Sequence, residues 1–127
     1  MNNSATQQQF NSDIAEMQHR MGTWWTRNFG HNANDIPTMS LLALGEEVGE
    51  LYRAHLKQEQ GIRGTREQWD REIEKECGDV FVTLAVYAYR KGVDLEKAIK
   101  ERWDVVEKRD WVNNPTTGGK EKEAKSL

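Results

Sequence analysis

The chain has 127 residues, with 18 lysines and arginines against 21 aspartates and glutamates and a net charge of −3. This length suits one domain with a modest core, and the mixed charge argues against a broad nucleic-acid surface or a polybasic membrane patch. A single cysteine excludes an internal disulfide framework. The chain has neither an apolar run of about 18 residues nor a basic start that leads into an apolar stretch. We therefore expect no membrane insertion, a cytoplasmic protein and a small partner.

Helical periodicity begins near the amino terminus. Residues 1–9 are polar and are expected to be frayed. In residues 10–28 the apolar side chains recur at steps of three and four, which predicts an amphipathic helix. Residues 29–35, rich in glycine and asparagine, predict a loop. Pro37 is well placed in a first helical turn and opens a second helix, which is expected to end near Gly61.

Two further helices follow. Thr65 and Gln68 have the spacing of a capping box, which predicts the start of a third helix. Gly92 is its expected stop. Asp94 then caps a fourth helix, expected to close near Trp111.

These helices predict an all-α fold, a four-helix bundle-like protomer within a domain of residues 1–112. Residues 113–127 have almost nothing to bury, so we predict a disordered tail there. Four short helices with wide apolar stripes and five tryptophans leave more to cover than one thin bundle can hide. We therefore expect a homo-oligomer, a dimer or a tetramer.

A pattern of acid, apolar residue, glycine, acid and apolar residue occurs twice, at residues 47–51 and 76–80. Positions three apart lie on one helix face, so the two acids of each copy project the same way. Each pair shares its arc with apolar residues that should face the core, where charges are costly unless they are neutralised. A divalent cation is the simplest neutraliser, and ligands that are all carboxylates suit Mg²⁺ or Mn²⁺.

Glycines occupy the centre of both copies, at Gly49 and Gly78. A glycine inside a helix costs about 1 kcal/mol relative to alanine. We expect the missing side chains to let the two helix backbones approach and to leave room beside the acids.

Two arginines lie along the apolar arc of the fourth helix, Arg102 and Arg109. Arginine keeps its proton, so each needs an anionic partner, either an acid of the bundle or a phosphate. A structural salt bridge is as good an interpretation for Arg102. Arg109, beside the helix end, is the better ligand candidate.

The segment 46–51 followed by 76–80 resembles the Glu-x-x-Glu, spacer, Glu-x-x-Asp signature of the MazG-like all-α nucleoside triphosphate pyrophosphohydrolases. The resemblance covers roughly residues 14–111. It implies Mg²⁺-dependent cleavage of a nucleoside triphosphate to the monophosphate and pyrophosphate by an oligomer. It also implies substrate contacts on the last helix, where Arg102, Val106 and Arg109 stand at the places of a lysine, an asparagine and an arginine.

With this resemblance, each acid has an expected role. The predicted Mg²⁺ ligands, with Mn²⁺ able to substitute, are Glu47, Glu50, Glu76 and Asp79. Glu46 and Glu47 are the candidates for catalysis, Glu46 as a general base or an extra ligand. Arg109 and Arg102 are expected to bind substrate.

Base recognition is expected at the end of the first helix, where Trp24 and Trp25 stand side by side. Either indole can stack on a base. We favour packing in the core or in a dimer interface for Trp24 and assign substrate binding to Trp25.

Two other functions remain compatible with the sequence. One is a hydrolase of another pyrophosphate-containing nucleotide, such as phosphoribosyl-ATP, that uses the same acids. The other is a non-catalytic helical dimerisation module whose acids are a relic, which predicts no turnover and no effect of metal.

Overall fold

The computed structural model describes residues 13–33 and 35–119. Within them the chain is helical and contains no strand, which confirms the all-α prediction. The helices are α1 (Ile14–Phe29), α2 (Pro37–Gln60), α3 (Arg66–Arg90) and α4 (Leu95–Val106). Residues 1–9, predicted to be frayed, lie outside the described part of the chain.

The chain divides into two compact units, Met1–Leu95 and Glu96–Leu127. In the first unit, α2 and α1 both pack against α3. The second unit contains α4 after its first residue and a series of turns that reaches residue 119. The four-helix bundle and its assembly stay predictions.

Local capping sets most helix ends as predicted. The Thr65 hydroxyl accepts a hydrogen bond from the Gln68 backbone N–H at 3.1 Å, and the Thr65 N–H donates to Gln68 Oε1 at 2.7 Å. This capping box satisfies two N–H groups that the first turn of α3 leaves without helical partners. Pro37 opens α2, and Gly61 ends it with a φ of 66°. Gly92, with a φ of 69°, follows the end of α3.

Two boundaries differ from the predictions. Asp13 caps α1 by accepting a hydrogen bond from the Glu16 N–H at 2.7 Å, so this helix begins four residues later than the apolar periodicity suggests. The fourth helix ends at Val106, well before Trp111. Residues 107–110 are all charged and include no glycine or proline that would stop a helix, but the chain forms turns and irregular backbone from residue 107 to residue 119.

The core of the first unit lies where α1 crosses α3. Ala85, Ala88 and Leu95 are buried together there. A side chain at Gly22 would collide with the ring of Tyr89, so this glycine permits the close approach of the two helices. The buried Gln18 amide donates to the Val93 carbonyl at 2.7 Å and accepts from the Leu95 N–H at 3.0 Å, which fixes the turn after α3.

A second anchor holds the segment between α1 and α2. Asp35 accepts a hydrogen bond from Trp25 Nε1 at 2.9 Å and forms an ion pair with Arg90 Nη2, also at 2.9 Å. Because Arg90 is the last residue of α3, this ion pair joins the start of α2 to the end of α3. The two acid-bearing helices are thereby held side by side.

Hydrogen bonds also shape the turns after α4. Asp110 donates its N–H to the Gly118 carbonyl at 2.8 Å, and Gly118 donates its own to Asn114 at 2.8 Å. The predicted tail therefore begins with turns in residues 113–119. Residues 120–127 lie outside the described part of the chain, and the disorder proposed for the tail stays a prediction.

The described helices contain no segment that is both long and apolar enough to span a membrane.

Candidate metal centre

Three of the predicted acids meet where α2 and α3 pack side by side. Each of Glu47, Glu76 and Asp79 offers a carboxylate oxygen, and these oxygens lie within 4.8 Å of one another. Glu47 projects from α2, and the other two lie one helical turn apart on α3. The spacing of the two acid pairs thus becomes a compact cluster.

Burial is uneven within this cluster. The Glu76 side chain is only 7% exposed, whereas that of Asp79 is 41% exposed. Glu76 Oε2 is buried and has no hydrogen-bond partner among the described residues. A buried carboxylate oxygen without a partner is unfavourable, which leaves a place for a proton or a cation.

The cluster also changes the ionisation of Glu47. Burial raises the pKa of its carboxyl group, and the nearby carboxylates of Glu76, Asp79 and Glu46 raise it further. All of these causes oppose a negative charge on Glu47. The site therefore favours a species that brings positive charge.

The donor set fits a hard divalent cation. Oxygens on opposite sides of one Mg²⁺ are about 4.2 Å apart, from metal–oxygen distances of about 2.1 Å. The carboxylate oxygens of the three acids lie within 4.8 Å of one another, which is close to this spacing. Mg²⁺ commonly takes one or two carboxylates and keeps several waters, so a partial protein shell suits it.

Lys75 is next to the cluster, and the sequence analysis did not predict its role there. Its Nζ lies 3.1 Å from Glu76 Oε1 and 3.5 Å from Asp79 Oδ2. The hydrogen bond to Glu76 is the main cause that raises the pKa of Lys75, followed by the charge of Glu76. The spacing of four between Lys75 and Asp79 was the available signal for this ion pair.

The remaining predicted acids lie outside the cluster of three. Glu46 and Glu50 are both exposed on α2. Glu50 is one turn along the helix from Glu47, on the same side. Its assignment as a metal ligand and that of Glu46 as a base stay predictions.

The glycines between the acids do not bring the two backbones together. A Cβ atom at Gly49 or Gly78 would meet no atom of the described residues within 4 Å. The expected close approach is therefore wrong for this chain by itself. The expected room beside the carboxylates is present.

The two neighbouring tryptophans differ in their exposure to solvent. Trp25 is 9% exposed and donates to Asp35, whereas Trp24 is 45% exposed. Adjacent helical residues point about 100° apart, so only one of the two faces the interior. Trp24 therefore lies outside the core of the single chain, and its place in a dimer interface stays a prediction, as does a substrate contact by Trp25.

Trp24 borders a groove of about 550 Å³ between α1 and α3. The lining residues are Met17, Arg20, Met21, Thr23, Trp24, Arg27 and Val82. Val82 follows Asp79 by three residues on α3, a rise of about 4.5 Å along the helix. The lining of the groove thus combines apolar side chains, an exposed indole and two arginines.

The predicted phosphate ligands belong to the second unit. Arg102 is exposed on α4, and Arg109 follows the end of this helix and donates its backbone N–H to the Val106 carbonyl at 3.1 Å. Their roles in substrate binding stay predictions.

A comparison with protein families assigns this region. The sequence model of the MazG nucleotide pyrophosphohydrolase domain matches residues 37–111. This match covers more than half of the chain and includes the three clustered acids, Lys75 and both arginines. No curated protein and no solved structure gives a significant match to the chain. The helical fold, the acid cluster and the match to residues 37–111 agree, and the chain belongs to the MazG nucleotide pyrophosphohydrolase family.

Proposed function

We propose that this protein is a Mg²⁺-dependent nucleoside triphosphate pyrophosphohydrolase, which cleaves an NTP or dNTP to the monophosphate and pyrophosphate. The observation that carries the proposal is the buried Glu76 oxygen without a partner inside a cluster of three carboxylates. The family match supports the class of reaction, hydrolysis of a phosphoric anhydride in a nucleotide. Such an activity serves the upkeep of the nucleotide pool.

Glu47, Glu76 and Asp79 are the proposed first ligands of Mg²⁺. Glu50, exposed one turn along α2 from Glu47 and on the same side of the helix, is the proposed fourth ligand. When bound, Mg²⁺ supplies charge neutralisation for the phosphate oxygens and lowers the pKa of a bound water.

Glu46 is the proposed general base. Its exposed carboxylate, next to Glu47 in the chain, accepts a proton from the water that attacks the α-phosphorus. Glu47, next to Glu46 in the chain, is the second proposed catalytic residue.

Substrate binding is proposed for the three side chains that the sequence predicts for this role. Arg109 and Arg102 bind the phosphates, since guanidinium groups match phosphate geometry. Trp25 contributes to the base site through its packing with the ring of Phe29, at a centroid distance of 4.6 Å. The exposed Trp24 and its groove offer an open stacking surface beside it.

Assembly into a dimer or tetramer is part of the proposal. Large apolar side chains remain exposed in the single chain, among them Leu42 at 68% and Tyr52 at 71%. Surfaces of this kind commonly mark contacts between proteins. Light scattering tests this part, because a monomer mass would contradict it.

The activity is tested with a panel of nucleotides and Mg²⁺ in H₂¹⁸O. We expect a monophosphate that carries ¹⁸O, together with unlabelled pyrophosphate, because water attacks the α-phosphorus. Label in pyrophosphate would contradict this site of attack, and a diphosphate with free phosphate would contradict the position of cleavage. Inclusion of phosphoribosyl-ATP in the panel distinguishes the related hydrolase.

Matched variants separate this activity from a contaminant. Glu76→Gln removes the buried ligand, and Glu74→Gln removes an exposed acid of the same helix. We expect turnover to depend on Glu76 and on added metal but not on Glu74. No turnover of any nucleotide and no effect of metal would favour the dimerisation module.

A further inference from the structure

Lys75 provides a positive charge beside the acidic cluster. Its Nζ lies 3.1 Å from Glu76 Oε1 and 3.5 Å from Asp79 Oδ2, so one ammonium group bridges two of the three clustered acids. Among the described residues, Lys75 makes all the ion pairs of Glu76 and Asp79. The ammonium group therefore contacts the same carboxylates that are proposed to bind a metal ion.

The two side chains of this ion pair differ in their exposure to solvent. The Lys75 side chain is 62% exposed, whereas the Glu76 side chain is 7% exposed. A lysine ammonium on a flexible, exposed stem leaves its partner at little cost. The buried carboxylate cannot turn to solvent in the same way.

One lysine does not neutralise the cluster. Three carboxylates face a single ammonium group, and Glu76 Oε2 still has no partner. A divalent cation brings twice the charge and binds several oxygens at once. It therefore competes with Lys75 for the same two acids and prevails when it is abundant.

We propose that Lys75 is the resident counter-ion of the metal site: it holds Glu76 and Asp79 when metal is absent and is displaced when a divalent cation binds. Lys75 thereby keeps the metal-free protein folded and lowers its affinity for metal. This inference rests on the proposed metal site. Lys75 is a positioning residue in this role, because it acts through the two acids.

Replacement of the charge tests the inference directly. Lys75→Met keeps the aliphatic stem, and Lys75→Arg keeps the charge. Isothermal titration with Mn²⁺ and Mg²⁺ should show roughly three- to tenfold tighter binding for Lys75→Met, because the metal no longer competes with an ammonium group nearby. Lys75→Arg should bind like the wild type. Lys100→Met is the matched control, since Lys100 makes its ion pair with Glu96 on α4.

Thermal melts add the expected reciprocal effect. In chelator, Lys75→Met should melt below the wild type, because three acids then repel without a counter-ion. In saturating Mn²⁺ the difference should disappear. An ordinary structural salt bridge would lower the melting temperature equally in both conditions and leave metal affinity unchanged. That result would overturn the inference.

A measurement on the wild type avoids dependence on the folding of a variant. Amine-reactive labelling, read by mass spectrometry of peptides, should modify Lys75 faster when Mn²⁺ is present, with Lys100 unchanged. A rate that is unchanged or lower would contradict displacement. If the wild type binds neither metal in the titration, the metal site itself fails and the inference fails with it. Metal binding with no change in Lys75→Met refutes the role of Lys75 alone.

Discussion

Two buried acids of the first unit have opposite environments. The Asp35 side chain is 2% exposed, and both of its oxygens are satisfied: Oδ1 by Trp25 Nε1 and Oδ2 by Arg90. The Glu76 side chain is 7% exposed; its Oε1 pairs with the exposed Lys75, and its Oε2 has no hydrogen-bond partner among the described residues. Burial alone therefore does not identify a site. A buried carboxylate oxygen that has no hydrogen-bond partner is the better indication of a binding site.

The balance of charge gives the same contrast. Asp35 faces one guanidinium group, whereas Glu76 belongs to three carboxylates that face one ammonium group. Arg90 Nε has no hydrogen-bond partner among the described residues, and Asp35 pairs with this cation through Nη2. Loss of Asp35 would leave a cation uncompensated, while loss of Glu76 would remove an excess anion. The following predictions test this difference.

The largest effect is expected for Glu76→Gln. We predict a loss of turnover of at least about 100-fold, since even residues that only support a metal ligand typically contribute 10- to 100-fold. The melting temperature in chelator should stay the same or rise, because one repelling charge is gone. Steady-state kinetics and melts in chelator provide the two measurements. A clear drop in the melting temperature, absent from Glu74→Gln, would make Glu76 a structural acid like Asp35.

The opposite result is expected for Asp35→Asn. The amide cannot neutralise Arg90, so we predict a loss of about 3 kcal/mol in the free energy of unfolding, measured by urea denaturation. Metal affinity of the folded protein should be retained. Asp70→Asn is the control, because this exposed acid only accepts a hydrogen bond from Gln58 and should cost less than about 1 kcal/mol. Equal losses for both variants would remove the distinction.

The smallest effect concerns Asp110, an acid that is well satisfied but not deeply buried. Hydrogen bonds from the Asn113 backbone and side chain, and then from the Val112 backbone, hold the pKa of Asp110 below its usual range. A lowered pKa in the folded state means that the stabilisation is present above the unfolded pKa. It is lost as the pH falls through the lower, folded pKa.

Amide exchange in residues 110–118 should therefore rise at strongly acidic pH. Asp110→Asn keeps acceptors for the backbone N–H groups but does not titrate, so its exchange should lack this step. The same step in Asp110→Asn would assign the transition to another group.

The fold follows from local sequence wherever local chemistry ends a helix. The capping box of Thr65, the proline at position 37 and the glycine at position 92 act within a few residues, so their effects are readable without a structure. The end of α4 was not predictable in this way. Residues 107–110 contain neither glycine nor proline to mark the end, and the turn hydrogen bonds around Asp110 replace those of a helix.

The candidate site is likewise predicted from the sequence only as far as local helix geometry reaches. The spacing of three within each acid pair is a property of any helix, so the sequence by itself places Glu76 with Asp79 on one side of α3 and Glu47 with Glu50 on one side of α2. The family resemblance rests on the same residues and is confirmed by the match to residues 37–111.

Only the tertiary structure decides which members of equivalent patterns are buried. Glu50 and Asp79 hold matching places in the two motifs, yet Glu50 is exposed and Asp79 joins the cluster. Trp25 faces inward and donates its N–H to Asp35, whereas Trp24 lines the groove. Periodicity states which residues share a face, but burial depends on what packs against that face, and this is settled by contacts far apart in the chain.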